Sequence, residues 1–110
     1  MDSRRHQKIS QVILMDLADI FQKEAKNMFG GAFITVTVVR VTPDLSLARV
    51  FLSILNPEKK IILDLIKKQN KEIRKILAER VKQQLRKVPE LIYQIDDSLD
   101  YYEKIDKLLK

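Results

Sequence analysis

The chain has 110 residues, with 21 Lys plus Arg against 15 Asp plus Glu for a formal charge of +6. That length allows one domain, expected over residues 1–110, and 45% hydrophobic residues exclude the composition of a disordered chain. Without cysteine there are no disulfides, thiolate catalysis or Cys-type zinc sites, and with His6 as the single histidine any triad, imidazole metal cluster or acid/base pair would have to be built without a second imidazole, which closes most common enzyme designs. The longest stretch free of charge, Asn27 to Val39, is 13 residues, below the roughly 18 that span a bilayer. Asp16 and Asp19 interrupt any secretory core. The expectation is a cytoplasmic protein that needs no membrane.

From Arg5 to about Met28, apolar residues at Ile9, Val12, Ile13, Leu17, Ile20, Phe21 and Ala25 recur at three- and four-residue spacing, which predicts one amphipathic helix. Gly30 and Gly31 stop it. Phe33 to Val41 is dense in β-branched residues, and Leu47 to Leu55 reads as a second strand with Ala48, Val50, Leu52 and Ile54 on one face. Thr42 to Ser46, with Pro43 and Asp44, makes the turn of a hairpin. Arg40 shares the parity of Ile34, Val36 and Val38, so either the first strand ends early or a bulge shifts its register.

Pro57 and Glu58 suit a helix first turn, and helical phase then runs from Ile61 to Val88. A straight helix from Glu58 to Val88 would run about 46 Å, longer than a globule of this size, roughly 34 Å across. The helix is expected to break in the six-residue polar run from Lys67 to Glu72. Pro89 ends it, Glu90 to Ile95 reads as a third strand, and Asp96, Asp97 and Ser98 cap a last helix with Leu99, Tyr102, Ile105, Leu108 and Leu109 as its stripe. The prediction is an α+β fold of order α-β-β-α-(kink)-α-β-α, with a three-stranded mixed sheet covered by helices on one face. Residues 1–4 are expected to fray and 97–110 to form a helical extension.

The positive charge is concentrated. Residues 58–88 carry +7, whereas 1–28 and 29–57 carry +1 each and 89–110 carry −3. Lys67, Lys68, Lys71, Arg74 and Lys75 surround the expected kink, with Arg80, Lys82, Arg86 and Lys87 beyond it. A phosphate-binding surface accounts for this block better than a merely solvated helix face. Arg4, Arg5 and Lys8 are either a second contact or an untidy terminus, and sequence leaves both open. Phe51, between Arg49 and Ser53, is expected to pack under the last helix rather than stack a base. Asp96, Asp97, Asp100, Glu103 and Asp106 do not follow a calcium loop, and no metal, cofactor or catalytic residue is assigned.

The order of elements and the basic middle suggest a type II KH-like domain. More specifically, the chain resembles the ribosome-binding factor A family over essentially its whole length. The stretches that carry the resemblance are Arg4 to Ile9, Ile34 to Ser53, Ile73-Arg74 with Leu77, Arg86 to Leu91, and Asp96 to Leu99. Within them, Asp44-x-x-x-Ala48-x-Val50 and the succession from Val88-Pro89-Glu90-Leu91 to Asp96-x-Ser98 carry most weight.

The resemblance implies a non-enzymatic factor that binds the free small (30S) ribosomal subunit and assists maturation of 16S rRNA. It further implies an RNA-binding role in ribosome biogenesis and in bacterial cold-shock adaptation. It also implies an Ala-x-Gly motif at the helix break. Here those positions read Gln69, Asn70 and Lys71. A monomer is expected, and the competing reading is a basic module that docks an acidic protein partner.

Overall fold

The computed structural model describes residues 3–96, with side chains from Gln7 onward. Helix α1 spans Ser3–Lys23 and buries Ile9, Ile13, Leu17, Ile20 and Phe21 on one side. It begins within the stretch expected to fray. The expected single helix to Met28 is corrected, because the chain turns at Glu24 and a short α2 follows over Ala25–Met28. Phe29 supplies a reason for the turn. A continuous helix would rotate residue 29 about 80° away from residue 21, whereas in the fold both rings are buried with centroids 5.0 Å apart. Gly30 and Gly31, at φ 61° and 78°, then reverse the chain, and the N–H of Gly31 donates to the carbonyl of Ala25 at 2.8 Å.

Strands β1 (Phe33–Val41) and β2 (Leu47–Leu55) form the expected antiparallel hairpin. Of the two possibilities open for β1, the bulge is realised. Val36 pairs with Leu52 and Val38 with Phe51, which leaves Thr37 as the extra residue. Ile34, Val36 and Val39 therefore all face the core while Arg40 faces out. The Thr37 hydroxyl donates to Asp96 Oδ2 at 2.6 Å and lies 3.2 Å from the Phe51 carbonyl, so the bulge also holds the end of the third strand.

That strand, β3 (Glu90–Ile95), pairs with β2 in parallel from Leu47↔Glu90 to Leu52↔Ile95, giving the order β1-β2-β3. The crossover between them contains α3 (Lys59–Lys68) and α4 (Asn70–Val81). Pro57 and Glu58 precede α3 rather than opening it, and the Glu58 N–H donates to Asn56 Oδ1 at 2.8 Å. The expected continuation to Val88 is also corrected. Helix α4 ends at Val81, whose carbonyl accepts from the N–H groups of Gln84 and Leu85 at 2.8 Å each. A helix returning antiparallel to a strand must stop where that strand begins, and every further residue would overshoot by about 1.5 Å. Residues 82–89 reverse the chain so that the Glu90 N–H can donate to the Ser46 carbonyl at 2.9 Å.

Helices α1, α3 and α4 cover one face of the sheet, over Val50, Leu52, Leu91 and Tyr93. On the other face Phe33, Leu55 and Ile92 are exposed, and the Arg40 guanidinium sits 5.9 Å from the centroid of the Phe51 ring. The last helix expected over 97–110, and with it the expected cover of Phe51, lies outside the described residues. Among the described residues no helix is long and apolar enough to cross a membrane. Between α4 and α1, Arg80 Nη1 lies 2.6 Å from Asp19 Oδ2 and 3.7 Å from Asp16 Oδ1.

Two outcomes are expected. Leu17→Ala empties a fully buried site on α1 and should lower urea stability by about 2–5 kcal/mol. The Arg80 hydrogen bond, followed by that of Lys23, holds the Asp19 carboxyl below its ordinary 3.8. Its stabilising contribution is therefore present above that value and is lost as pH falls through the lower folded pKa. Acid titration followed by circular dichroism should show a shallower loss of stability below pH 3.8 for Arg80→Ala than for the unaltered chain.

Candidate nucleic-acid interface

The break between α3 and α4 falls inside the predicted polar run, at Gln69. This residue has φ −98° and ψ 13°; its N–H reaches the carbonyls of Ile66 (3.1 Å) and Leu65 (3.2 Å), and its own carbonyl accepts from the N–H of Ile73 at 2.9 Å. One helix closes and the next opens on the same residue. Two side chains hold the geometry. Gln69 Nε2 donates to the Met28 carbonyl at the end of α2, and Asn70 Oδ1 accepts from the Tyr93 hydroxyl at 3.0 Å. The kink is thus tied to the first helical hairpin and to β3. Burial pushes the Tyr93 phenol well above its ordinary range, so it remains a hydrogen-bond donor. The role of Tyr93 was readable in part, since an inward-facing tyrosine requires a hydroxyl partner.

The predicted cations divide into three groups. Lys67 and Lys68 in the last turn of α3, Lys71 in the first turn of α4 and Lys75 one turn later are exposed, and no ion pair among the described residues engages them. The second group works within the fold. Arg74 Nη2 donates to the Val88 carbonyl at 3.0 Å and its Nε is buried, while Arg80 is held by Asp16 and Asp19. Unlike the lysines, each binds a backbone or carboxylate partner that sequence spacing does not reveal.

The third group lies at the far end of α4, about 18 Å away along its twelve residues. Arg86 and Lys87, in the loop after α4, line one groove together with Lys8 of α1. Lys82 is exposed and lies 3.5 Å from Glu79. The side chains of Arg4 and Arg5 are outside the described set. The arrangement presents fixed positive charge at two ends of one helix, which suits phosphate binding.

Comparison with known proteins bears on this geometry. The family model described as ribosome-binding factor A matches residues 5–109. The chain belongs to that family. It is 48% identical to ribosome-binding factor A of Cytophaga hutchinsonii over 99% of this chain and 83% of that protein. The crystal structure of ribosome-binding factor A from Thermus thermophilus has the same fold, with a TM-score of 0.69 at 21% identity, covering 82% of this chain and 94% of that one. A homology-built T. thermophilus ribosome-binding factor A, fitted into a cryo-EM map of a 30S complex, is similar with a TM-score of 0.53 at 19% identity, over 74% of this chain and 96% of that one.

The fold is accordingly the KH-like fold of the ribosome-binding factor A family. In this member the helix break is made without the small residues that the resemblance led one to expect. Gln69 stays at negative φ, and the only non-glycine residue with positive φ among those described is Leu45. Side-chain anchors to Met28 and Tyr93 replace backbone permissiveness as the cause of the bend. Tyr93→Phe should lower stability by about 0.5–1.5 kcal/mol. Asn70→Ala in that background should add less than it costs alone, because the two changes remove the same bond. A thermal-melt double-mutant cycle reads this coupling.

Proposed function

We propose that this protein is a non-catalytic assembly factor that binds the free small ribosomal subunit through 16S rRNA and assists its maturation. The reading joins family membership to the exposed lysines of the kink, Lys67, Lys68, Lys71 and Lys75. The T. thermophilus factor fitted in a 30S complex supports the choice of partner. Phosphate contacts supply affinity in such binding, and the shape of a folded RNA selects the place. The N-terminal turn of α4 lies among these lysines and adds the positive end of its dipole. Binding is stoichiometric: the factor holds an rRNA conformation until maturation permits release. A cytoplasmic monomer with a role in growth in the cold is the setting this reading implies.

The observation that carries the proposal is that, among the described residues, these four lysines make no ion pair while Arg74 and Arg80, in the same block, are consumed by the fold. The test is co-sedimentation with small subunits of the unaltered chain and of the triple variant Lys68→Glu, Lys71→Glu, Lys75→Glu. Arg74 is left intact so that folding is preserved. Association should be lost with an unchanged circular dichroism spectrum, and retained association would exclude this surface. If about five phosphates are neutralised, log affinity should fall against log salt with a slope of about −4. RNase-resistant binding to an acidic protein would favour the competing docking module.

A further inference from the structure

At the end of the molecule opposite the kink, three segments distant in sequence enclose a groove of about 710 Å³, within the size range of small-ligand sites. Its apolar lining comes from Ile9 and Val12 of α1, Leu45 of the β1–β2 turn and Leu85 after α4. Lys8, Arg86 and Lys87 are its exposed cations. Leu45 stands at φ 61°, a left-handed conformation that is strained for a residue with a Cβ. The turn is held there by Asp44, whose Oδ1 accepts from the Thr42 hydroxyl (2.8 Å), the Ser46 N–H (3.1 Å) and the Ser46 hydroxyl (2.8 Å). A turn needing only to reverse the chain is better served by Gly or Asn at that position. Here the strained residue contributes an aliphatic wall to the groove.

The groove joins chemistries that few ligands match together. Its cations call for an anion, its floor for a flat apolar body, and Asp44, which also lines it, for hydrogen-bond donors. The same hydrogen bonds from Thr42 and Ser46 hold the Asp44 carboxyl below its ordinary range, so it is charged at neutral pH. An acidic peptide would satisfy the cations but set carboxylate against carboxylate. A free phosphate would leave the floor unused. A nucleotide carries its anion at one end, an apolar ring in the middle and N–H donors on the far edge.

We propose that this groove binds one unpaired nucleotide of RNA, with the phosphate on Lys8, Arg86 and Lys87, the base on Leu45 and Leu85, and its N–H edge on Asp44. Guanine is the favoured base, because its adjacent ring N–H and amino group can both be directed at Asp44 Oδ2, the oxygen that the turn's hydrogen bonds to Oδ1 leave aside. This rests on the RNA reading above and adds to it a second contact, about one α4 length from the kink, that reads a base where the kink lysines read only phosphate.

The test uses the full chain and three fluorescent strands in anisotropy titrations: an oligoadenylate with one central guanosine, the same strand with inosine, and plain oligoadenylate. The guanosine strand should bind about tenfold or more tightly than oligoadenylate, with inosine between them. Asp44→Asn keeps an acceptor for the turn and should abolish that preference while binding of oligoadenylate persists. The pair Arg86→Glu, Lys87→Glu should weaken all three strands. The kink triple variant should keep the preference for guanosine. Equal binding of the three strands, or a preference that survives Asp44→Asn, overturns the groove assignment. If in either case the unaltered chain still co-sediments with small subunits, the RNA reading stands; if co-sedimentation also fails, that reading falls separately.

Discussion

Parallel pairing of β2 with β3 is the constraint from which the rest of the structure follows. It obliges residues 56–89 to leave one end of the sheet, return over a single face and re-enter at the other end. The chain divides the return into α3 and α4, with Gln69 belonging to the hydrogen-bonding pattern of both. The break is then fastened on two sides, to Met28 and through Asn70 to Tyr93. These anchors leave Gln69 and Asn70 half-buried, while Lys67, Lys68 and Lys71 on either side stay in solvent. Exposure of Lys67, Lys68 and Lys71 is thus a result of the same geometry that closes the fold.

The division of labour among the cations has a chemical basis. A guanidinium offers several donors in a fixed plane and is weakly hydrated, so it suits partly buried positions with defined partners. Arg74 joins α4 to Val88, two residues before β3, and Arg80 joins α4 to α1 across the helix interface. An ammonium is strongly hydrated and flexible, and the lysines of the kink remain in solvent. In residues 58–88 a single count of positive charge therefore mixes groups that hold the protein together with groups available to a polyanion. Substitutions that ignore the distinction would confuse unfolding with loss of binding.

The two ends of α4 also differ in kind. At the kink, positive charge stands on helix surface, with Lys67 and Asn70 beside a cavity of about 180 Å³. At the other end, charge, aliphatic surface and a carboxylate converge in a groove whose parts come from the first helix, the hairpin turn and the loop before β3. The two ends would divide binding between general affinity for phosphate and selection of a particular base.

Local patterns in the sequence determined a good deal of this protein. β-branched density and alternation located all three strands, the misplaced parity of Arg40 left a choice between an early strand end and a bulge, and the six polar residues after Ile66 located the helix break. These features are legible because they arise from neighbours within a few positions. Only tertiary structure decided the turn at Glu24, which serves the packing of Phe29 on Phe21, and the end of α4 at Val81, which serves the start of β3. It alone decided that Arg80 would meet Asp19, 61 residues away, and that Lys8 would share a groove with Arg86 and Lys87. Periodicity specifies which side of an element faces inward; which charge stands opposite another depends on how the elements are brought together.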